Sequence, residues 1–249
     1  MNGLQHLSPS AKRLAFFLLK RVNKAIRDYD MIRDGDRVAV AVSGGKDSLT
    51  LLTLLNLRKR YVPQEYHLVA VNVQSDYQCA AHATREELKE IFEAEGVEYS
   101  FEEMDTPEED LNCFRCAWNR RKALFLAAHR LGCNKLAFAH HADDVAQTTL
   151  LNLFYQGRLE TMEPKVEFFG GLITVIRPLV YVPEKEIVRF ARACDFPLKT
   201  RECPIGRNSK RAKMREILRE IEKDCPEVKI NLFRAVMRRK TYKSGFVDS

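Results

Sequence analysis

Strand-like and helix-like segments alternate along most of this chain, and this alternation restricts its fold more than any other feature. Short apolar runs rich in Val, Ala and Leu are typical of buried strands, and the runs between them carry apolar residues at helical spacing. Strands joined through helices run parallel, with helices on both faces of the sheet. The sequence therefore predicts an α/β fold with strands at 37–42, 67–73, 97–102, 135–139 and 172–176 and helices at 48–60, 83–95, 117–131, 144–155 and 183–194.

Three regions differ in their pattern. Residues 1–30 are predicted to form an N-terminal helical segment, because apolar residues recur at helical spacing over 14–29. Residues 31–198 form the α/β domain, and residues 199–249 form a basic helical C-terminal region with helices at 209–222 and 226–239. No run of about eighteen apolar residues and no signal-peptide pattern is present. We expect a cytoplasmic protein with no membrane partner.

Charge is distributed unevenly along the chain, whose formal net charge is +7. Residues 84–110 hold twelve carboxylates and two basic residues, whereas residues 199–219 hold eight basic residues and two carboxylates. Further basic clusters occur near both termini, at Lys12, Arg13, Lys20, Arg21, Lys24 and Arg27 and at Arg234, Arg238, Arg239, Lys240 and Lys243. Basic clusters around a nucleotide-binding core suit a phosphate backbone, so the sequence predicts a nucleic-acid partner.

The first predicted strand leads directly into Ser-Gly-Gly-Lys-Asp-Ser, which precedes a helix. Glycines let the backbone approach phosphate oxygens, and a helix N-terminus offers N–H groups and partial positive charge. A carboxylate beside phosphate indicates a magnesium ion between the two. The spacing is not that of the Walker loop. The motif predicts a pyrophosphate-binding loop formed by Ser43, Gly44, Gly45, Lys46, Asp47 and Ser48, with Asp47 as an Mg²⁺ ligand.

Two further segments follow strands at the same predicted edge of the sheet, where ligands of open α/β sheets bind. Val71 and Val73, at the end of the second strand, are predicted to lie beside the adenine. A His-His-Ala-Asp-Asp segment follows the fourth strand. Asp144 is placed to cap the next helix, whereas capping does not explain Asp143. Imidazoles and carboxylates here predict a triphosphate, metal or acid–base role for His140, Asp143 and Asp144.

Seven cysteines in a chain expected to be cytoplasmic favour metal or redox use over a disulfide framework. Cys113 and Cys116 lie just before a predicted helix rich in Arg and Lys, which would lower the pKa of their thiols. Their spacing suits a redox pair, half of a zinc site or, with Cys203, a cubane cluster with one open iron. The spacing does not choose among these three uses. The remaining thiols are predicted to be ordinary buried side chains: Cys79, Cys133, Cys194 and Cys225.

Together these motifs resemble the PP-loop ATP pyrophosphatases, which adenylate a carbonyl oxygen and release pyrophosphate. Residues 43–48 resemble the PP-loop itself, and residues 140–144 are similar to a second motif of that superfamily. The cysteine pair followed by Cys203, and the Ile-Arg-Pro-Leu run at 176–179, resemble the TtcA/TtuA group of tRNA thiolases. The paired zinc-binding motifs of the TtuA branch are absent from both ends of the sequence, so the chain looks closest to the TtcA branch, the tRNA 2-thiocytidine synthetases.

The resemblance implies a HUP-like, adenine nucleotide alpha-hydrolase-like domain over residues 31–198 that binds ATP and Mg²⁺. It also implies ATP-dependent sulfuration of a tRNA base, with 2-thiolation of an anticodon-loop cytidine (position 32) as the expected reaction. In such enzymes the base is adenylated, and sulfur carried on the open fourth iron of a 4Fe–4S cluster or as a persulfide then displaces AMP. The residues that would carry this chemistry are Asp143, Asp144, Arg120, Cys113, Cys116 and Cys203.

The partners implied are tRNA and a sulfur donor such as a cysteine desulfurase. The run Cys-Pro-Ile-Gly at Cys203 departs from the second Cys-x-x-Cys of many TtcA proteins, so the sequence also permits another target base. It further permits a cluster-free persulfide mechanism, an amidotransferase-like ligase that does not need Cys203, and a non-catalytic nucleotide-dependent RNA-binding protein. The sequence leaves open a homodimer formed through the terminal helices.

Overall fold

A six-stranded sheet with eight helices around it forms the described part of the chain, which in this computed structural model comprises residues 7–75, 83–104, 113–198 and 210–244. The strands are β1 (Arg37–Ala41), β2 (His67–Ser75), β3 (Glu98–Met104), β4 (Lys135–Ala137), β5 (Lys165–Phe168) and β6 (Ile173–Ile176). The helices are α1 (Pro9–Asp28), α2 (Lys46–Arg58), α3 (Arg85–Glu95), α4 (Cys113–Arg130), α5 (Ala142–Gln156), α6 (Glu184–Ala193), α7 (Lys210–Asp224) and α8 (Val228–Ser244).

The strand order is β3-β2-β1-β4-β6-β5, and the prediction of a parallel sheet is confirmed for the five strands it named. β5 was not predicted, and it pairs antiparallel to β6 with Val166 opposite Val175. A short turn of 3-10 helix at Phe169–Gly171, with positive φ at all three residues, joins the two strands as a hairpin. β5 therefore closes one edge of the sheet without a crossover helix.

β1 lies between β2 and β4, so the chain continues from the middle of the sheet first to one side and later to the other. Such a reversal of strand order leaves a crevice at the carboxyl ends of the two central strands, and ligands of open α/β sheets bind there. The turns after β1 and β4 both open into this crevice. The fold thus brings together the two motifs at 43–48 and 140–144 that the sequence singled out.

Alternate residues of β1 face two separate layers of the core, as the two-residue period of a strand requires. Val38 and Val40 pack with α1, α2, α3 and α6, whereas Ala39 packs with α4 on the opposite face. α2 is buried around nearly its whole circumference, and five of its leucines are completely buried: Leu49, Leu51, Leu52, Leu54 and Leu55. A helix buried on all sides is held between neighbours rather than laid on the surface. Its N-terminus, which carries the 43–48 turn, is therefore fixed in place.

The basic C-terminal helices pack against α5 through a third apolar cluster. Met214 and Leu218 of α7 are buried against Ala146 and Leu150 of α5. The observed bounds of α7 and α8 lie close to the predicted 209–222 and 226–239. This packing brings α8 to the start of α5, directly behind the 140–144 turn. None of the helices in the described ranges is long and apolar enough to cross a bilayer.

Candidate active site

The turn after β1 requires glycine at its second position. The N–H of Val42 still donates to the carbonyl of Val71 at 2.8 Å, so strand pairing continues to the edge of the turn. Gly44 then takes φ +81°, and a Cβ there would lie 3.2 Å from the backbone nitrogen and 3.3 Å from the Cβ of Ala83. A side chain would be both strained and crowded at this position. The backbone of the turn is consequently open to a close-fitting ligand.

Two serines brace this turn, and none of the described side chains caps the helix that follows it. The Ser48 hydroxyl donates to the carbonyl of Gly45 at 3.0 Å and accepts the N–H of Ser43 at 3.2 Å. Gly45 occupies the N-cap position of α2 and has no side chain to occupy the first N–H groups of the helix. Unsatisfied N–H groups at a helix N-terminus, with its positive dipole end, bind anions such as phosphate.

Lys46 places a positive charge at the same helix end. Its Nζ lies 2.9 Å from both carboxylate oxygens of Asp47 and 3.0 Å from Oε1 of Glu184, the first residue of α6. Burial by itself would lower the pKa of Lys46, but the carboxylates of Asp47 and Glu184 outweigh burial and raise that pKa. The ammonium group is therefore fully charged at neutral pH and can exchange a carboxylate partner for a phosphate.

The turn after β4 brings a histidine against the first turn. The carboxylate of Asp144 accepts the N–H of His141 at 3.1 Å, which confirms that Asp144 caps α5. This cap fixes His141, whose Nε2 lies 3.9 Å from Oδ1 of Asp47 and 3.5 Å from Oδ2 of Asp144. His141 is thus an imidazole that faces the 43–48 turn, whereas His140, the predicted nucleotide-binding histidine, lies near Arg121, Arg177 and Arg211. β4 also ends at Ala137, two residues earlier than predicted.

Asp143 is buried and ionised, held by two partners from distant parts of the chain. It accepts the backbone N–H of Glu184 at 2.8 Å, and its Oδ1 lies 2.5 Å from Nζ of Lys229 in α8. Burial alone would raise the pKa of Asp143, but Lys229 and the Glu184 N–H overcome that effect and lower it. The pKa of Lys229 is raised in turn, because Asp143 and Glu222 outweigh the effect of its burial.

On the β6 side of the crevice, several basic side chains surround a neutral histidine. Burial, together with the cations of Arg177, Arg211 and Arg121, lowers the pKa of His140 to about 4. Burial and Arg121 also lower the pKa of Arg177 to about 10. In the described part of the chain, buried atoms without a hydrogen-bond partner include Nδ1 of His140 and Nε of both Arg120 and Arg177. Buried polar atoms are nearly always paired, so these groups are prepared for a bound partner.

The predicted adenine-side residues lie on β2. Val71 is completely buried between the strands, while Val73 is only partly buried near the strand end. Between them, Asn72 donates from Nδ2 to the carbonyl of Val42 at 2.7 Å, and its buried Oδ1 has no partner among the described residues. Asn72 therefore offers a spare acceptor at the junction of β1 and β2. Sequence reasoning placed the segment here but did not single out the amide.

The Cys-x-x-Cys pair lies inside a helix rather than just before one, because α4 begins at Cys113. Cys113 and Cys116 occupy the first turn of α4, and the thiol of Cys116 is free and partly exposed. The side chain of Cys113 and the whole of Cys203 lie outside what the structure describes. Across the described ranges, no three His, Cys, Asp or Glu side chains are grouped so that they could hold a metal ion.

The cysteines predicted to be ordinary thiols fit that description where the structure describes them. Cys133 is buried, and burial raises its pKa. Burial raises the pKa of Cys194 to about 12. Cys225 is free and partly buried, and Cys79 lies outside the described residues. Thiols with raised pKa values are poor nucleophiles and poor metal ligands.

Comparison with known proteins agrees with this arrangement. A family profile described as a PP-loop domain matches residues 17–221. The curated tRNA-cytidine(32) 2-sulfurtransferase of Citrifermentans bemidjiense is 44% identical over an alignment of 234 residues, and the match covers 89% of this chain and 90% of that protein. The protein of the same name from Geotalea uraniireducens is 41% identical over 232 residues, covering 90% of this chain and 92% of its own length.

Among solved structures, the fold is similar to that of the U34-tRNA thiolase NcsA from Methanococcus maripaludis, described with its 4Fe–4S cluster. The TM-score is 0.75 at 25% sequence identity, and the match covers 92% of this chain and 79% of that chain. The resemblance stated from the motifs is therefore confirmed. This chain belongs to the PP-loop family and, within it, to the group of the tRNA-cytidine(32) 2-sulfurtransferases.

Proposed function

We propose that this chain is an ATP-dependent tRNA sulfurtransferase that converts an anticodon-loop cytidine to 2-thiocytidine in the cytoplasm. The observation that carries the proposal is the turn at 43–48, where the helix end is uncapped and Gly44 has a positive φ and close neighbours that disfavour a side chain. This turn occurs in a chain that is 44% identical to a tRNA-cytidine(32) 2-sulfurtransferase. Such a turn holds phosphate through backbone N–H groups.

ATP would lie in the crevice with its phosphates on the turn. The N–H groups at the start of α2 would hold the phosphates, and Lys46 would move from Asp47 to a phosphate oxygen. That exchange would release the Asp47 carboxylate for Mg²⁺, a hard cation that prefers oxygen ligands. The adenine would lie beside Val71 and Val73, with the spare Oδ1 of Asn72 as an acceptor.

The first chemical step is adenylation of the base. The carbonyl oxygen of cytidine attacks the α-phosphorus of ATP, an O–P bond forms, and the bond to pyrophosphate breaks. Negative charge moves to the pyrophosphate, so the cations of Lys46 and Arg120 stabilise the transition state. In the second step a sulfur nucleophile attacks the base carbon that bears the adenylated oxygen, and the C–O bond breaks with AMP as the leaving group.

The two aspartates of the second motif, Asp143 and Asp144, would have different roles, which follow from their contacts. Asp143 is ionised and has a lowered pKa, so it serves as a hydrogen-bond acceptor or base rather than as an acid. Asp144 fixes His141 against Asp47 through the helix cap. Neutral His140, with a free Nδ1, would hydrogen-bond to ATP or to the base.

Cys113, Cys116 and Cys203 would hold a 4Fe–4S cluster with an open fourth iron. The described part of this site fits such a group, because Cys116 is a free, partly exposed thiol in the first turn of α4, and Arg120 is one turn further along. When bound, a cluster of this kind supplies a site at which sulfide is held as a nucleophile. The sulfur would come from a donor such as a cysteine desulfurase, and homodimerisation stays a prediction.

The test is a reconstituted reaction with nucleoside mass spectrometry. The purified chain, loaded with iron and sulfide under anaerobic conditions, is incubated with ATP, Mg²⁺, sulfide and tRNA from cells that lack the gene. We expect 2-thiocytidine and pyrophosphate in equal amounts. Cys203→Ser should abolish thiolation, whereas Cys133→Ser, at a buried thiol away from the site, should retain it.

Any different result would contradict the target base, the cluster mechanism or the enzymatic activity. Another thionucleoside would retain the chemistry but overturn the target base. An active Cys203→Ser protein would overturn the cluster mechanism and favour a persulfide. Binding of tRNA without release of pyrophosphate would indicate a nucleotide-dependent RNA-binding protein.

A further inference from the structure

A cleft of about 410 Å³ opens behind the active site, between α1 and α8. Its lining includes five basic side chains, contributed by two helices that are far apart in sequence: Arg21, Lys24, Lys229, Arg234 and Arg238. No carboxylate of the described residues belongs to the lining. The cleft is thus a concave surface of a single sign of charge, which attracts anions.

The cations differ in how far they are already neutralised. Arg21 pairs with Glu186 at 2.9 Å, and Lys24 pairs with Asp28. Lys229 pairs with both Asp143 and Glu222, so three of the five cations are already neutralised. By contrast, Arg234 and Arg238 are exposed and form no ion pair within the described ranges of the chain. The charges of Arg234 and Arg238 therefore remain available to a ligand, and these two side chains are the candidate anion-binding groups of the cleft.

Three aromatic side chains line the cleft: Tyr29 and Tyr181 are partly exposed, whereas Phe233 is buried. The ring of Tyr181 lies 5.7 Å from that of Phe233 and 6.1 Å from that of Tyr29, measured between centroids, and Nζ of Lys24 lies 5.2 Å from the Tyr181 centroid. Aromatic side chains next to cations are the combination by which proteins bind single-stranded RNA, because bases stack on rings while phosphates contact the cations. A bare inorganic anion or a lipid headgroup makes no use of the rings.

The cleft adjoins the predicted catalytic carboxylate. Ala142, the first residue of α5, forms part of its lining and is followed directly by Asp143. Lys229 also lines the cleft while its Nζ lies 2.5 Å from Asp143. A ligand in the cleft is therefore in contact with the residue that keeps Asp143 ionised. The phosphate-binding turn at 43–48 is not part of the lining, so the cleft is distinct from the ATP site.

We propose that this cleft binds a nucleotide of the tRNA anticodon loop that flanks the target cytidine. The base stacks against Tyr181, which Phe233 supports from the core side, and its phosphate lies between Arg234 and Arg238. This inference rests on the proposed function, because it names where the tRNA of that reaction is held. The proposal gives α8, and the side of α1 that lines the cleft, a role in RNA binding.

Binding of a fluorescently labelled anticodon stem-loop RNA, measured by anisotropy over a range of salt concentrations, tests the proposal. Arg234→Glu with Arg238→Glu is compared with Lys59→Glu with Arg60→Glu, an equal charge change on exposed residues beyond the far end of α2. The cleft variant should bind the RNA at least about tenfold more weakly and lose about 1.4 from the slope of log K against log salt, as two phosphate contacts to a single strand predict. The control variant should keep the wild-type slope.

A second measurement locates the RNA. A stem-loop with 4-thiouridine next to the target cytidine is photo-crosslinked to the wild-type protein, and the crosslinked peptides are identified by mass spectrometry. We expect crosslinks to the peptides containing Tyr181 or Phe233. Binding of ATP without RNA should be unchanged in the cleft variant, which confirms that it is folded.

The outcomes separate this inference from the proposed function. If the wild-type protein thiolates tRNA while the cleft and control variants bind RNA equally well, the cleft assignment is wrong and the function stands. Crosslinks confined to other peptides would also overturn it. If the cleft variant loses RNA binding as expected but the wild-type protein makes no thionucleoside, the cleft is an RNA-binding surface, and both the proposed function and the assignment of the flanking nucleotide are wrong.

Discussion

The ion pair between Lys229 and Asp143 links α8 to the active site, and its removal has a predictable cost. Lys229→Met keeps most of the side-chain volume but leaves Asp143 ionised, with the backbone N–H of Glu184 as its remaining hydrogen-bond donor and Nδ1 of His141 3.8 Å from its Oδ2. The side chains of Lys229 and Asp143 are only 15% and 8% exposed. Removing one partner of a buried pair costs about 3 to 5 kcal/mol. Because the N–H of Glu184 remains, we expect the lower end, about 3 kcal/mol at pH 7.

Urea unfolding of the purified proteins at 25 °C measures this loss of unfolding free energy. Lys223→Met is the matched control, because Lys223 pairs with Glu220 on the same C-terminal region, but both side chains are largely exposed, at 68% and 74%. Exposed pairs contribute about 0.2 to 1 kcal/mol, so the control should lose less than about 1 kcal/mol. The double variant Asp143→Asn with Lys229→Met removes both charges and should regain most of the stability.

The dependence on pH follows from the lowered pKa of Asp143. A carboxyl with a lower pKa in the folded state contributes stability above its ordinary value of 3.8, and this contribution disappears as pH falls through the folded-state value. The cost of Lys229→Met should therefore be largest at neutral pH and shrink in acid. A loss below about 1 kcal/mol at pH 7, or no recovery in the double variant, would refute the conclusion that Lys229 compensates a buried charge.

Further predictions concern the two turns and the cysteines. Gly44→Ala brings a Cβ against Ala83, and we expect about tenfold weaker ATP binding by calorimetry; unchanged affinity would contradict the phosphate-cradle assignment. His140 has a folded-state pKa of about 4, below the ordinary 6.5, so as the pH falls the unfolded chain takes up this proton first and the folded state loses stability. In urea unfolding, His140→Asn should therefore remove about 2.5 kcal/mol of the stability lost between pH 7 and pH 4.5. An identical loss in both proteins would refute this. Cys116→Ser should lose bound iron and sulfide while Cys133→Ser keeps them, and equal iron content would exclude Cys116 as a ligand.

The sequence was most informative where structure depends on neighbouring residues. Four of the parallel strands, β1, β2, β4 and β6, are mainly apolar and largely buried, and such runs are visible without knowledge of their partners. The fifth, β3, lies at an edge of the sheet and is mostly only partly buried, but it is seven residues long and its Tyr99 and Phe101 alternate with polar residues. β5 is different, because Lys165 and Glu167 alternate with Val166 and Phe168 in only four residues. A segment this short and polar becomes a strand only by pairing with β6, and that pairing is a tertiary interaction. The missed strand is therefore a consequence of the shortness of β5 and of its dependence on pairing with β6.

The same distinction applies to the site. The turn at 43–48 is contiguous, so its glycines, cation and carboxylate could be identified together. Glu184 and Lys229, which hold Asp143, are 41 and 86 positions further along the chain, and only the fold brings them to it. The available signal for Lys229 was its place in a basic helix, which does not distinguish a buried ion pair from a solvated surface. The choice between the two histidines depended on the cap that Asp144 forms with His141, a detail of backbone geometry.

The C-terminal helices contribute basic side chains to the candidate active site. Arg211 of α7 lies 4.0 Å from Asp144, and Lys229 of α8 lies 2.5 Å from Asp143, so both aspartates of the second motif have basic partners from beyond residue 198. The predicted boundary at 198–199 marks a change of sequence pattern, but packing continues across it, because Met214 and Leu218 cover the outer face of α5. Without these helices, α5 would expose apolar surface and Asp143 would keep its charge without a cation. The surface proposed to bind RNA thus lies on the same helix, α8, whose Lys229 sets the charge of Asp143, so RNA bound there would contact the element that holds this carboxylate in the proposed ATP crevice.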